Sequence, residues 1–120
     1  MRRMRAANGR GRLLGDQIGV ADRWWLRLRG LLGREGLPAG EGLLLDPCKA
    51  VHMLGMRFPL DVAFLDLNGA VVAVYHDLAP GARTGWHRAA ARALELPAGT
   101  LQASGTGVGD TIVCTPEASP

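Results

Sequence analysis

Lysine is almost missing from this chain: Lys49 stands alone beside thirteen arginines. No run of five like charges occurs, and the aromatics near the arginines are the adjacent pair Trp24-Trp25, not rings interleaved along a basic groove. Single-strand nucleic-acid surfaces combine such a groove with stacking rings, so the sequence argues against that class of partner. Cysteine is scarce as well. Cys48 and Cys114 are 66 residues apart, which makes no disulfide framework and suits free thiols in a reducing compartment. Long apolar runs are absent; the longest, Ala70 to Tyr75, is far below the ~20 residues of a membrane helix. Arg2, Arg3 and Arg5 resemble the charged start of an export signal, but Ala6 to Arg12 is polar and glycine-rich where an apolar stretch would have to follow. The expectation is a soluble cytoplasmic protein with no membrane contact.

What is present is globular. The chain has 120 residues, 48% hydrophobic and 21% charged, with 17 glycines and a mean hydropathy of +0.07. That length suits a single domain spanning 1–120. The net charge of +3 is unevenly spread: residues 1–34 hold nine arginines against Asp16 and Asp22, and the remainder is acidic. At solvated positions this reads as arginine-rich codon usage in preference to a binding face.

Residues 3–7 and 10–15 can pair about the turn Asn8-Gly9. Asp22 can cap a helix over about 22–32, with Gly30 or Gly33 as its end, where Trp24, Trp25, Leu28, Leu31 and Leu32 share helical spacing; Trp25 and Leu28 are expected to pack on a sheet. From Gly36 the chain becomes short apolar runs cut by glycine and proline, the punctuation of strands. Strands are expected at 42–46, 50–54, 60–65, 70–75, 91–96 and 111–115, with a helical turn from Pro97 to Gly105 and a frayed tail at 116–120. The clearest hairpin is 60–76. A type I turn starting at Asp66, with Gly69 left-handed, pairs Asp66 with Ala70 and sets Val62, Phe64, Val72 and Val74 on one face.

The segments Leu26 to Arg34, Gly42-Leu-Leu-Leu, Met56-Arg-Phe-Pro-Leu-Asp-Val-Ala-Phe-Leu-Asp66, Leu94-Glu-Leu-Pro-Ala-Gly99 and Gly109-Asp110 occur in the order and spacing of the DUF192 (UPF0127) family. The chain resembles that family over about residues 13–113. The resemblance implies a mainly β fold, a small sandwich or partly open barrel with one short helix near its start, and it brings no activity with it. Many members read Trp-Met-Lys-x-Thr before the Pro-Leu-Asp; here the segment is His52-Met-Leu-Gly-Met56 with Cys48 upstream, which resembles a Cys-x-x-x-His branch. A reaction that needs His52 therefore cannot belong to the whole family. Many members also resemble exported proteins, a trait the N-terminus here does not share.

Cys48, His52 and Met56 share one strand parity, and thiolate, imidazole and thioether suit a soft metal. In an extended strand Cys48 and His52 would lie ~13 Å apart, too far to clamp one ion. A metal site is not favoured over a buried thiol and a hydrogen-bonded histidine. A Cys48–His52 nucleophilic pair, oriented by Asp61 or Asp77, would need a depressed thiol pKa that nothing nearby supplies. Arg57, Asp61 and His76 gather at one end of the hairpin, as a structural ion pair or as the polar rim of a ligand pocket. The sequence thus favours a binding module for a small molecule or protein, with His52, Arg57, Asp61, His76 and Cys48 as candidate ligand contacts and with its cofactor unknown. The alternative is a Cys/His-dependent enzyme or soft-metal protein.

Overall fold

Residues 1–117 are described in a computed structural model of the chain. Seven strands form one mainly β sheet: β1 (Arg3–Asn8), β2 (Leu13–Ala21), β3 (Glu41–Leu45), β4 (Leu60–Leu65), β5 (Val71–Leu78), β6 (Arg92–Pro97) and β7 (Ile112–Pro116). Two short helices, α1 (Trp24–Arg29) and α2 (Thr100–Ser104), complete it. The order across the sheet is β5-β4-β6-β3-β2-β1-β7. Only β2 and β3 run parallel, so residues 22–40 form the long connection that a parallel pair requires. The sheet curls into a half-barrel until its two edges touch. Ala70 bridges Thr111, the Val71 N–H donates to the Asp110 carbonyl at 2.8 Å, and the Ile112 N–H donates to the Gly69 carbonyl at 2.8 Å. Gly69 has φ +84, and a Cβ there would lie 2.6 Å from the Ile112 oxygen, so the seam closes only on glycine.

Curling gives the sheet two apolar faces, each with its own core. Inside, Leu14, Ile18, Leu44, Leu65, Leu94 and Leu96 pack around Leu101 of α2, which plugs the half-barrel. Outside, Leu43, Leu45, Val62, Phe64 and Ala93 are covered by Leu31, Val51, Met53 and Ala90 from the long connections. All six residues of β4 are therefore buried, and this strand reads as a continuous apolar run where a half-exposed one would alternate.

The hairpin turn has the expected geometry. The Asp66 side chain accepts from Asn68 N–H at 2.8 Å and Ala70 N–H at 2.9 Å, and Asp66 N–H donates to Ala70 O at 2.9 Å. The single face containing Val62, Phe64, Val72 and Val74 does not form. Leu65 pairs with Val71 but Phe64 pairs with Ala73, so Val72 is the extra residue of a bulge. The bulge reverses parity, and Val74 joins the inner core while Val72 packs outside with Phe64. A second irregularity, between Leu60 and Val62, holds Asp77 at φ +53.

The helix differs most from expectation. It spans six residues, its N-cap is Arg23 with no side-chain cap, and Gly30 at φ +50 ends it. Asp22 pairs with Arg2 at 3.3 Å instead of capping. Trp25 and Leu28 are 51% and 72% exposed; Leu26 and, past the break, Leu31 face the outer core in their place. A helix this short has little stability of its own and takes the pose its flanking turns impose. Residues 50–54 make no strand and contribute only a bridge between His52 and Arg83. Pro116 pairs with Met4 as part of β7, so the tail is not frayed at 116 as expected; residues 118–120 lie outside the described residues. Among the described residues no helix is long and apolar enough to cross a membrane.

Candidate functional site

Against the outer face lies a cavity of about 460 Å³, enclosed by α1, the 47–56 connection and the outer faces of β3 and β6. That volume suits a small molecule. Its walls are Leu31, Leu45, Val51 and Met56. The helical spacing of Trp24 and Leu28 does make a stripe, but the stripe faces the cavity, which the exposed Leu54 and Trp86 also line. Trp24 is 65% and Trp86 73% exposed. Apolar area left in water this way is a common mark of a binding surface.

Among the described residues one acidic group lines this cavity, which Arg27, Arg29, Lys49 and His52 also border. Glu95 lies on β6 between Leu94 and Leu96, whose side chains point inward, so its own points outward, beside Leu43 of β3 and Val62 of β4. It is only 6% exposed. No described residue donates a hydrogen bond to its carboxyl, yet no buried polar atom is sealed off without a partner, so the carboxyl opens onto the cavity it lines. Burial pushes its pKa up to about 7, because the charged form loses hydration and gains no partner.

The five candidates from the sequence do not converge. Cys48 and His52 line the cavity. The Cys48 thiol donates to the Ala50 carbonyl at 3.1 Å. Its pKa is raised, chiefly by burial and further by the Glu95 charge, against lowering pulls from the Ala50 backbone and, more weakly, Arg27. That direction is opposite to what a nucleophilic thiol needs. His52 is exposed and held by its main-chain bridge to Arg83. Arg57 is exposed and pairs at 3.5 Å with Glu35, not with Asp61. His76 is exposed on β5.

Asp61 is 0% exposed and its oxygens are filled by backbone. Oδ1 accepts from Asp77 N–H at 2.9 Å, and Oδ2 accepts from Gly99 N–H at 3.0 Å and Leu101 N–H at 2.9 Å. It thus ties the β5 bulge to the start of α2. No group of three or more His, Cys, Asp or Glu among the described residues could hold a metal ion.

Sequence reasoning missed Glu95 and the two cavity tryptophans. Glu95 was legible only as the polar position of an alternating strand, ordinarily a solvent face. The sequence held no signal for the difference, which lies in the mid-sheet place of β6, with both its faces covered. Also missed was His87, whose Nε2 is 2.7 Å from the Tyr75 hydroxyl and whose ring is 4.5 Å from that of Phe64. This cluster fixes the 79–91 connection over the outer core.

A seven-stranded half-barrel with two short helices and a pocket on its convex face defines the class of fold. The same fold occurs in a proposed transcription regulator from Sinorhizobium meliloti 1021, 26% identical, with a TM-score of 0.80 over 94% of this chain and 92% of that one. It occurs too in a protein of unknown function from Novosphingobium aromaticivorans DSM 12444, 20% identical, with a TM-score of 0.79 over 92% and 83% of the two chains. The chain belongs to the DUF192 family, described as an uncharacterized ACR, which matches residues 5–114. No protein of curated function matches it.

Proposed function

We propose that this domain is a binding module that takes a small, largely apolar molecule between α1 and the outer face of the sheet. The observation that carries this reading is the Glu95 carboxyl, buried without a partner at the cavity it lines. An isolated buried carboxyl costs stability, and retention of such a group is typical of functional sites. Cys48 and His52 belong to this site as lining contacts; Arg57, Asp61 and His76 do not. The raised Cys48 pKa gives no support to a thiol nucleophile. The free thiols Cys48 and Cys114 support a cytoplasmic location.

The test is a titration of the 15N-labelled protein with apolar fragments such as indole, followed by amide chemical shifts. Shifts should cluster at Gly30, Leu31, Ala50, Val51 and Glu95. Shifts confined to other surfaces, or none at millimolar fragment, would refute the reading.

A further inference from the structure

We infer that the ligand of this cavity is an organic cation: an apolar body carrying one basic nitrogen, seated with that nitrogen against the Glu95 carboxyl and its apolar part between Trp24 and Trp86. This rests on the cavity being a binding site and adds the chemistry of its occupant. Three observations support it.

First, the carboxyl lies beside Leu43 and Val62 and lines the cavity together with Leu31, Leu45 and Val51, with no hydrogen-bond donor of the fold upon it. A ligand ammonium would supply both the counter-charge and the hydrogen-bond donor that the fold withholds. Charge-assisted bonds of this kind are about twice as strong as neutral ones.

Second, Arg27, Arg29 and Lys49 line the same cavity, but none of them forms an ion pair with Glu95. Arg27 donates to the Asp46 carbonyl at 3.0 Å. Lys49 donates to the Arg88 carbonyl at 2.9 Å and also to that of Ala90. Arg29 is exposed at the end of α1. None of the three offsets the cost of charging Glu95, whose shift comes from burial alone.

Third, two tryptophans line the same cavity. Indole faces are the best aromatic surface for a cation in transit or at rest. A neutral ligand would use these walls but leave the carboxyl unanswered.

The remaining titratable groups lining the cavity are Cys48 and His52. Cys48 stays neutral across the relevant range because its pKa is raised, and the exposed His52 is removed as a contributor by His52→Ala.

The experiment uses the full chain, n-hexylamine and the isosteric 1-hexanol, read by tryptophan fluorescence and calorimetry from pH 6 to 8. Hexylammonium keeps its proton throughout, since alkylamines titrate near about 10. With Glu95 titrating at about 7, the competent ionised fraction, and hence the amine affinity, should rise about tenfold over that range. Near pH 6.5 binding should release a proton, visible as a dependence of the heat on buffer ionisation enthalpy. The rise and the proton release should persist in His52→Ala. Hexanol should bind more weakly and without pH dependence, and Glu95→Gln should reduce amine affinity more than tenfold while leaving hexanol unchanged.

If Glu95→Gln does not fold, the proton release of the native chain decides the matter alone. Equal, pH-independent binding of amine and alcohol would overturn the cationic ligand and leave the apolar site standing. Affinity that falls as pH rises would overturn it too, since the protonated Glu95 carboxyl would then be the form that binds. Binding of neither probe would overturn the site itself.

Discussion

Replacing Asp61 by asparagine removes an anchor that joins two distant parts of the chain. The carboxylate accepts three backbone N–H bonds, from Asp77 on β5 and from Gly99 and Leu101 at the start of α2, all within 3.0 Å. Asparagine offers one oxygen and one NH2 group. With its oxygen turned toward Gly99 and Leu101, the NH2 faces the Asp77 N–H donor to donor. One bond is lost, the other two lose their charge assistance, and a part-buried N–H is stranded. Bonds to a charged acceptor contribute ~1.5–3 kcal/mol each and a stranded donor costs ~1–3 kcal/mol, so the whole change should destabilise by about 3 kcal/mol. For a chain of 120 residues, that is a fall in melting temperature of about 12 °C. Scanning calorimetry measures it. Amide exchange at Asp77 should also accelerate, because the bulge at φ +53 loses its restraint. A fall below about 2 °C, with Asp77 still protected, would refute the anchoring argument.

Four further outcomes follow from the geometry. Glu95 binds its proton more tightly in the fold, with a pKa of about 7, than in the unfolded chain. Folding therefore takes up a proton above pH 4.5, the ordinary carboxyl value, and stability declines as pH rises to 7, by about 3 kcal/mol from this group. Urea unfolding of native chain and Glu95→Gln at pH 5 and 8 should show that decline in the native chain only. Gly69→Ala forces a Cβ to 2.6 Å from the Ile112 oxygen at a left-handed φ and should lose about 2–4 kcal/mol in the same assay. Cys48 should react with iodoacetamide at pH 8 more slowly than a free peptide thiol, and faster in Glu95→Gln, since that charge raises the thiol pKa. Trp86→Ala, at a side chain 73% exposed, should change stability by less than about 0.5 kcal/mol while weakening fragment binding in the cavity.

Local chemistry made some of this fold readable in advance. Asp66 and Gly69 specify their turn by side-chain acceptance and a positive φ, and both act within five residues. The apolar runs 60–65 and 91–96 likewise announce strands. Parity beyond the turn was not readable, because the Val72 bulge is set by the inner core that Val74 must reach. The direction of the helical stripe was not readable either. Trp24 and Leu28 have core spacing, yet Gly30 cuts the helix and Leu31 takes the buried place. Of the candidate site, Cys48 and His52 were visible as soft, polar residues in an apolar stretch. Glu95 was hidden by its own alternation, since a glutamate between two leucines has the same pattern whether its face meets water or a covered cavity.

The pairing of β7 with β1 bears on how the chain is made. β1 is made before the other strands and its partner β7 after them, together with Thr111, which closes the seam at Ala70. Until then β1 has an unsatisfied edge and the inner leucines lack Ile112. The hairpins β1–β2 and β4–β5 can form while the ribosome is still attached, but the half-barrel cannot seal until β7 has emerged. A stalled nascent chain ending near residue 105 should accordingly remain protease-sensitive, in contrast to the finished protein, and present a free strand edge to any holding chaperone.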